Sequence, residues 1–204
     1  MDFLFLGFFT GLSLILAIGA QNIFVIEQGL KKQYVFLVCI ICSVSDLILI
    51  FCGILLFHFF HQYFNLFIEL TLNILLIIFL IHFIYSKIKS IKKNISFNSE
   101  VKNSSKIDIS LKTLGFTYLN AHVYSDTVFF LGNFSKNFLL GEKIFFGVGA
   151  SISSFIFFFL LGYLSTFFSK YAQNDNIWKS INLFIICFMS LLTIYIIRET
   201  INFL

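Results

Sequence analysis

The stretch YLNAHVYSDTVFFLG, residues 118–132, places polar side chains inside an otherwise apolar segment. Within eight residues it holds Asn120, His122, Tyr124, Asp126 and Thr127. A charged residue at the centre of a lipid-facing helix costs about 2.5–3.5 kcal/mol on insertion scales. Such side chains persist in a membrane segment only where they face protein, water or a substrate. The stretch therefore predicts a functional site within a membrane-embedded helical bundle.

The composition of the whole chain predicts an integral membrane protein. Its 204 residues are 59% hydrophobic and 12% charged, whereas a soluble domain is roughly half apolar and about a quarter charged. These values exclude a soluble enzyme, and a net charge of +4 with lysines concentrated in one loop argues against nucleic-acid binding. We expect no enzymatic activity, no cofactor and no nucleic-acid partner. The lipid bilayer is the expected surrounding, and a homo-oligomer is left open.

Six apolar segments are each long enough to cross a bilayer as a helix, which takes about 20 residues. They cover residues 3–26, 34–57, 65–85, 113–133, 144–168 and 180–203. Four charged residues near segment ends are expected at the membrane interface, namely Glu27, Glu69, Glu142 and Arg198. The prediction is an all-α integral membrane protein with six transmembrane helices.

The distribution of basic residues predicts the orientation of these helices. Eleven lysines lie in the first, third and fifth loops, whereas the other side carries Lys136, Lys143 and Arg198. This places the basic loop 86–112 in the cytoplasm and both termini outside. If one segment only dips into the membrane, five crossings remain and one terminus changes side.

The two halves of the chain contain similar motifs in the same order. Gly19-Ala20-Gln21-Asn22 in the first segment corresponds to Asn120-Ala121-His122 in the fourth. Small and polar residues then follow at helical spacing, as Cys39, Cys42, Ser43, Asp46 and Gly53 in the second segment and as Gly147, Ala150, Ser151 and Ser154 in the fifth. We expect one domain, 1–204, built from two inverted three-helix repeats, 1–85 and 113–204. Transporters with that plan bind substrate near the midplane, at interrupted helices.

Two carboxylates are the strongest candidates for substrate or proton binding. Asp126 lies four residues after His122, so the two side chains share a helix face and can bond directly. They form either a proton relay or a structural pair in which each side chain satisfies the hydrogen bonding of the other. Asp46 lies in the middle of a segment without basic residues. It either holds a cation or proton, or is protonated and hydrogen-bonded within the bundle. Because no lysine or arginine lies mid-segment, a cavity lined by these groups favours a cation.

Three amides and a glycine mark the points where helices are expected to open. Gly19 permits unwinding, and the amides of Gln21, Asn22 and Asn120 either bind substrate or satisfy backbone groups freed by the break. The sequence does not separate these two roles. Unwound helix starts are suited to receive a substrate carboxylate. No zinc-ligand spacing is present. The four cysteines (Cys39, Cys42, Cys52 and Cys187) all lie within apolar segments, and Cys39 and Cys42, one helical turn apart, are predicted to be small packing residues.

The chain resembles the lysine/arginine exporter family of bacterial inner-membrane transporters over essentially its full length. The resemblance is carried by IGAQNIFVIEQGLKKQY (18–34), CSVSDLILIFCG (42–53) and LNAHVYSDTVFFLG (119–132). The family patterns G-P-Q-N and N-P-H-V-Y-x-D-T have proline where this chain has Ala20 and Ala121. Proline breaks a helix and alanine favours its continuation. The sequence therefore leaves open whether both helices are interrupted.

The resemblance implies export of L-arginine or L-lysine across the cytoplasmic membrane, exchanged for protons. The implied substrate- and proton-binding residues are Gln21, Asn22, Asp46, Asn120, His122, Tyr124 and Asp126, with Gly19, Ala20 and Ala121 at the helix interruptions. Export of a metal cation or of threonine and homoserine is the alternative within the same superfamily. A membrane thiol–disulfide reductase has the same layout but needs cysteines in the first and fourth segments, which this chain lacks.

Overall fold

The protein is described by a computed structural model that covers residues 2–16, 19–63, 66–92 and 105–202. Every regular element in these ranges is helical. The first half contains α1 (Asp2–Ile15), α2 (Ala20–Lys31), α3 (Val35–Tyr63) and α4 (Leu66–Lys92). The second half contains α5 (Lys106–Tyr118), α6 (Ala121–Tyr124), a π-helix (Ser125–Phe130), α7 (Leu131–Phe134), α8 (Leu140–Phe167), α9 (Ser169–Ala172) and α10 (Asp175–Asn202).

The described helices include three that are long and apolar enough to span a membrane: Val35–Leu55, Leu140–Phe167 and Asn176–Arg198. A fourth span is possible if α1 and α2, which are bent by 83° relative to each other, cross together. The predicted segment 113–133 is divided among four shorter elements instead of one helix. An all-helical membrane fold is therefore confirmed, whereas six crossings and the inverted repeat stay predictions.

The basic loop is shorter than the predicted range 86–112. Helix α4 continues to Lys92 and α5 begins at Lys106, so residues 93–105 separate them, and all of these except Ser105 lie outside the described residues. Two interactions explain the early start of α5. The Ser105 hydroxyl caps its N-terminus by accepting a 3.1 Å hydrogen bond from the Asp108 backbone N–H. One turn further, Lys112 Nζ donates to Asp108 Oδ2 at 2.8 Å.

Small residues let helices from the two halves approach closely. A Cβ at Gly53 of α3 would lie 2.6 Å from the backbone of Val128 in the π-helix. A Cβ at Gly149 of α8 would clash with the carbonyl oxygen of Leu4 in α1. Backbone-to-backbone packing of this kind is the usual way in which membrane helices associate. The packing places the π-helix and the middle of α3 side by side.

The outer and inner faces of the bundle differ as expected for a protein surrounded by lipid. Large apolar side chains such as Phe9, Leu160 and Leu191 are more than half exposed. The interior contains aromatic clusters, including one in which Phe24, Phe79 and Phe83 pack on Phe116. Polar residues are also buried there, and these define the candidate site.

Candidate substrate site between two broken helices

The first helix break separates α1 from α2. Helix α1 ends at Ile15, and Gly19 precedes α2 in an extended conformation with φ −114° and ψ −177°. The side chain of Asn22 turns back, and its Nδ2 donates a 3.2 Å hydrogen bond to the carbonyl oxygen of Ile15. A carbonyl that has lost its helical partner is thereby satisfied.

The second break separates α5 from α6. Asn120 precedes α6, and its Oδ1 accepts a 3.1 Å hydrogen bond from the His122 backbone N–H. On the other side, the Tyr124 hydroxyl donates a 3.0 Å hydrogen bond to the carbonyl oxygen of Tyr118, the last residue of α5. Asn120 thus caps the start of α6, and Tyr124 spans the break to the end of α5. Helix α6 begins at Ala121 and α2 at Ala20, so both helices are interrupted although alanine stands in place of proline.

The π-helix that follows widens the backbone at the position of Asp126. The Thr127 hydroxyl donates a 2.5 Å hydrogen bond to the carbonyl oxygen of Val123, one turn earlier. Turns of π-helix within an α-helix occur frequently at functional sites. This one directs the half-buried Asp126 into the space left by the two breaks.

A single cavity of about 370 Å³ connects these features. Six of the seven residues predicted to bind substrate or protons line it, together with Gly19 and Ala20: Gln21, Asn22, Asp46, Asn120, His122 and Asp126. Tyr124 is not among the lining residues, because its hydroxyl is directed to the end of α5. The side chain of Ala121 lies outside the part of the chain that the structure describes. The binding roles of all these residues stay predictions.

Asp46 is buried at the boundary between the two halves of the chain. It is 3% exposed, and its Oδ2 accepts a 2.8 Å hydrogen bond from the Ser154 hydroxyl of α8. A hydrogen bond of this length fixes the orientation of the carboxyl group. Asp46 and Asp126 face the same cavity, and the described residues that line it include neither lysine nor arginine.

Gln21 provides a donor that the rest of the described structure does not use. The side chain is 7% exposed, and its Nε2 has no hydrogen-bond partner among the described residues. A buried donor without a partner costs about 1–3 kcal/mol. Because Gln21 lies on the cavity wall in the first turn of α2, the group is placed where a ligand oxygen can accept its hydrogen bond.

The cavity also contains residues that the sequence did not indicate. Tyr195 of α10 stacks on His122, with ring centroids 6.0 Å apart and planes inclined by 25°. These two are the exposed members of the lining, so they lie where the cavity opens. Phe158 and Leu192 contribute apolar wall. The sequence carried no signal for Tyr195, because aromatic residues occur throughout the apolar segments.

Cys39 and Cys42 are packing residues, as predicted from their apolar surroundings. Cys39 and Cys42 are fully buried and free, and the Cys39 thiol donates to the carbonyl oxygen of Phe158 at 3.2 Å. They pack α3 against α8 and do not pair with each other. The described residues contain no group of three or more histidines, cysteines or acids that could hold a metal ion.

Broken helices that meet around a buried acidic cavity, in an all-helical membrane fold, define a membrane transport protein. The chain belongs to the LysE type translocator family, whose model matches residues 12–200. The predicted resemblance to the lysine/arginine exporters is thus confirmed, and the protein is a transporter and not an enzyme.

Two relatives illustrate the similarity to known proteins. The arginine exporter protein ArgO of Salmonella typhimurium is 30% identical over 200 residues, which cover 98% of this chain and 95% of the relative. The arginine exporter protein ArgO of Pectobacterium carotovorum is 31% identical over 180 residues, or 88% of each chain. No solved structure matches this chain.

Proposed function

We propose that the protein exports basic L-amino acids, arginine or lysine, across the bacterial cytoplasmic membrane in exchange for protons. The observation that carries the proposal is the shared cavity of Asp46 and Asp126, which has two carboxylates and neither lysine nor arginine among its described lining residues. Its volume of about 370 Å³ falls within the range of small-molecule sites, roughly 300–1,000 Å³. The relatives named arginine exporter support the same class of substrate.

The cavity offers separate places for the two ends of a basic amino acid. The side-chain cation is attracted to Asp46 and Asp126. The α-carboxylate is assigned to the start of α2, where the helix dipole favours negative charge and where Gln21 supplies an Nε2 donor without a partner among the described residues. Both interactions are charge-assisted, which gives them strength and direction.

Coupling to protons follows from the charge that is moved. Carrying one positive charge out of a negative interior costs about 2.3 kcal/mol per 100 mV. Exchange for one incoming proton cancels this cost. In the proposed cycle Asp46, or Asp126 together with His122, holds either the proton or the substrate cation and so links the two movements.

The test is growth of an export-deficient bacterial host on toxic arginine and lysine analogues, with and without the protein. Rescue by the unaltered protein, and its loss in Asp46→Asn and Asp126→Asn variants that are still found in the membrane, is the expected result. Growth on a toxic threonine analogue tests the alternative substrate class, because rescue on that analogue would indicate export of threonine or homoserine. Normal rescue by both variants would overturn the proposed roles of the carboxylates, and no rescue on any basic analogue would overturn the substrate.

The proton-exchange step needs a separate measurement. Proteoliposomes loaded with radiolabelled L-arginine should release it faster when the outside is made acidic, and a proton ionophore should abolish the acceleration. An efflux rate that does not respond to either condition would show transport without proton exchange.

A further inference from the structure

The described helices pack as two groups. Helices α1, α2 and α3 all pack extensively on α8, and α5 and the π-helix pack on α3. Helices α4 and α10 pack chiefly on each other, and their contacts with the other described helices are much smaller. We call α4 and α10 the helix pair, and we call α1–α3 and α5–α8 with the π-helix the scaffold. Each predicted repeat thus contributes its last long helix to the pair, so the division cuts across the two repeats.

The candidate substrate cavity lies along the seam between the helix pair and the scaffold. Helix α4 lines it with Leu76, and α10 lines it with Leu192, Tyr195 and Ile196. All its other described lining residues belong to the scaffold or to the two helix breaks, and they include both carboxylates. A substrate in the cavity therefore contacts both groups of helices, and a shift of the pair against the scaffold changes its way out.

An aromatic layer closes the seam on one side of the cavity. Phe83 of α4 packs on Phe116 of α5 and on Phe24 of α2, with ring centroids 5.1 and 6.4 Å apart. Phe79, one turn earlier on α4, packs on the Phe116 ring at 4.8 Å. Phe24, Phe83 and Phe116 are all buried. Rings of the helix pair and rings of the scaffold thus meet across the seam.

The aromatic layer lies between the cavity and the end of the bundle that bears the basic loop. On α2, Phe24 comes two residues after Asn22 of the cavity lining. On α4, Phe83 comes about two turns after Leu76 of the lining, and α4 then continues to the basic loop. The cavity opens at its exposed lining residues, which are not part of this layer. The described conformation is therefore closed toward the side that the lysine distribution predicts to be cytoplasmic.

Polar contacts also join the two groups of helices at this end. Lys87 Nζ of α4 donates a 2.6 Å hydrogen bond to Glu27 Oε1 of α2, and Glu27 is 2% exposed. Glu27 was expected at the membrane interface, and this expectation is wrong, because its carboxylate accepts this hydrogen bond inside the protein. Lys87 Nζ donates a further hydrogen bond of 3.0 Å to Asn182 Oδ1 of α10, which links the two helices of the pair.

Helix α2 packs tightly on the scaffold and loosely on the helix pair. A Cβ at Gly29 of α2 would lie 2.5 Å from the carbonyl oxygen of Gly162 in α8, so the two backbones are in close contact. Between α2 and α10, by contrast, lies an apolar groove of about 340 Å³. It is lined by three residues of α2 and by five residues of α10 between Ile177 and Ile185. The groove leaves α10 room to shift against α2.

We propose that α4 and α10 move together against the scaffold during transport, and that Phe83, packed on Phe24 and Phe116, is the inner seal of the cavity. The inference rests on the proposed function, because the movement is assigned to the passage of the substrate. When the pair shifts, Phe83 separates from the scaffold rings and the cavity opens toward the basic loop. Phe24 and Phe116 stay together, because both belong to the scaffold.

Two cross-links of nearly equal span test the proposal. Phe83→Cys with Phe116→Cys joins the helix pair to the scaffold, where the ring centroids are 5.1 Å apart. Phe24→Cys with Phe116→Cys joins two scaffold helices, where the centroids are 4.9 Å apart, and is the matched control. The native cysteines that are not fully buried are first replaced by alanine. A short bifunctional methanethiosulfonate, which dithiothreitol removes, then links each pair of thiols.

The measurement is uptake of radiolabelled L-arginine by inside-out membrane vesicles, in which the predicted cytoplasmic side faces the medium. We expect the link across the seam to lower the initial rate of uptake about tenfold or more, and dithiothreitol to restore it. The link within the scaffold should leave the rate unchanged. Undiminished uptake with the seam linked, or equal losses with the two links, would overturn the proposal.

A second measurement needs no substrate. Leu192→Cys places a thiol on the cavity wall, and the rate at which a membrane-impermeant maleimide labels it reports access to the cavity. In inside-out vesicles we expect Phe83→Ala to raise this rate about tenfold, because the contacts of Phe83 with the scaffold stabilise only the closed state. Leu131→Ala is the control, since Leu131 is buried in an apolar cluster within the scaffold. It should leave the labelling rate unchanged.

The outcomes separate this inference from the proposed function. If the unaltered protein takes up neither arginine nor lysine, the proposed function fails, and the labelling rates still decide whether Phe83 seals the cavity. If Phe83→Ala labels no faster than Leu131→Ala, or labels faster only in right-side-out vesicles, the inner seal is overturned. If the reduced double-cysteine variants do not transport, the labelling rates decide alone.

Discussion

Ser154 donates a 2.8 Å hydrogen bond to Asp46 across 108 residues of sequence, and so joins the middle of α8 to the middle of α3. Both side chains are buried. The contact fixes one carboxylate of the cavity from the other half of the chain. Any relative movement of α3 and α8 during transport must therefore strain or break it.

Removing this hydroxyl should impair transport while leaving the fold intact. We expect Ser154→Ala to lower the export rate about tenfold, since a hydrogen bond to a charged group contributes roughly 1.5–3 kcal/mol. Ser153→Ala is the matched control, because Ser153 is equally buried but donates to the carbonyl oxygen of Ala150 in its own helix at 2.7 Å. Equal export rates in the two variants would show that the Asp46 contact has no part in transport.

Asn120 offers a way to separate capping from substrate binding. Serine at this position can still accept a hydrogen bond from the His122 N–H, whereas alanine cannot. We expect Asn120→Ala to cost about 1 kcal/mol of stability, or roughly 2–4 °C in Tm measured in detergent, and Asn120→Ser to cost little. If Asn120→Ser keeps the Tm but loses export, the amide also contacts substrate. If both variants have the same Tm as the unaltered protein, the cap does not stabilise the break.

The close packing of α3 against the π-helix requires that residue 53 has no side chain, as in Gly53. We expect Gly53→Ala to destabilise the protein by about 1–3 kcal/mol, because the added Cβ meets the Val128 backbone at 2.6 Å and backbone atoms cannot move aside cheaply. Gly141→Ala is the control, since a Cβ at Gly141 in the first turn of α8 has no atom within 4 Å. Thermal unfolding of both variants in detergent provides the measurement. A Tm that falls equally in both would contradict the role of close packing.

Tyr195 should act on transport through its ring. Because it stacks on His122 at the open side of the cavity, we expect Tyr195→Phe to retain export and Tyr195→Ala to reduce it several-fold, in line with about 0.5–1.5 kcal/mol for an aromatic pair. Uptake of radiolabelled L-arginine by inside-out vesicles compares the two. Loss of transport in Tyr195→Phe would assign the function to the hydroxyl instead.

The positions of the site residues could be predicted largely from sequence, because polar side chains are conspicuous within apolar segments. Gln21, Asn22, Asp46, Asn120, His122 and Asp126 all line one cavity. What the sequence could not supply was the partner of each group. The direction of the Tyr124 hydroxyl depends on the end of α5 at Tyr118. Likewise, the buried Glu27 accepts a hydrogen bond from Lys87, sixty residues away in the sequence.

The number of membrane crossings was the least predictable property of the fold. Average hydropathy identifies apolar segments, but it does not predict where a helix ends within such a segment. The segment 113–133 is apolar on average and is nevertheless divided at Asn120 and widened into a π-helix from Ser125. Local hydrogen bonds from polar side chains determine both the break and the π-helix, and such bonds do not alter the average hydropathy.

Restoring proline at the first break tests whether alanine has changed it. Helix α2 begins at Ala20, whose N–H needs no helical partner, and Gly19 already has the extended conformation that a residue before proline favours. We therefore expect Ala20→Pro to keep export and to leave stability unchanged or raise it by about 0.4–1 kcal/mol. Leu160→Pro, at an exposed position within α8, should by contrast cost about 3 kcal/mol or more. Thermal unfolding in detergent measures both, and a loss of stability in Ala20→Pro comparable to that in Leu160→Pro would mean that Ala20 lies in the interior of a helix and not at its start.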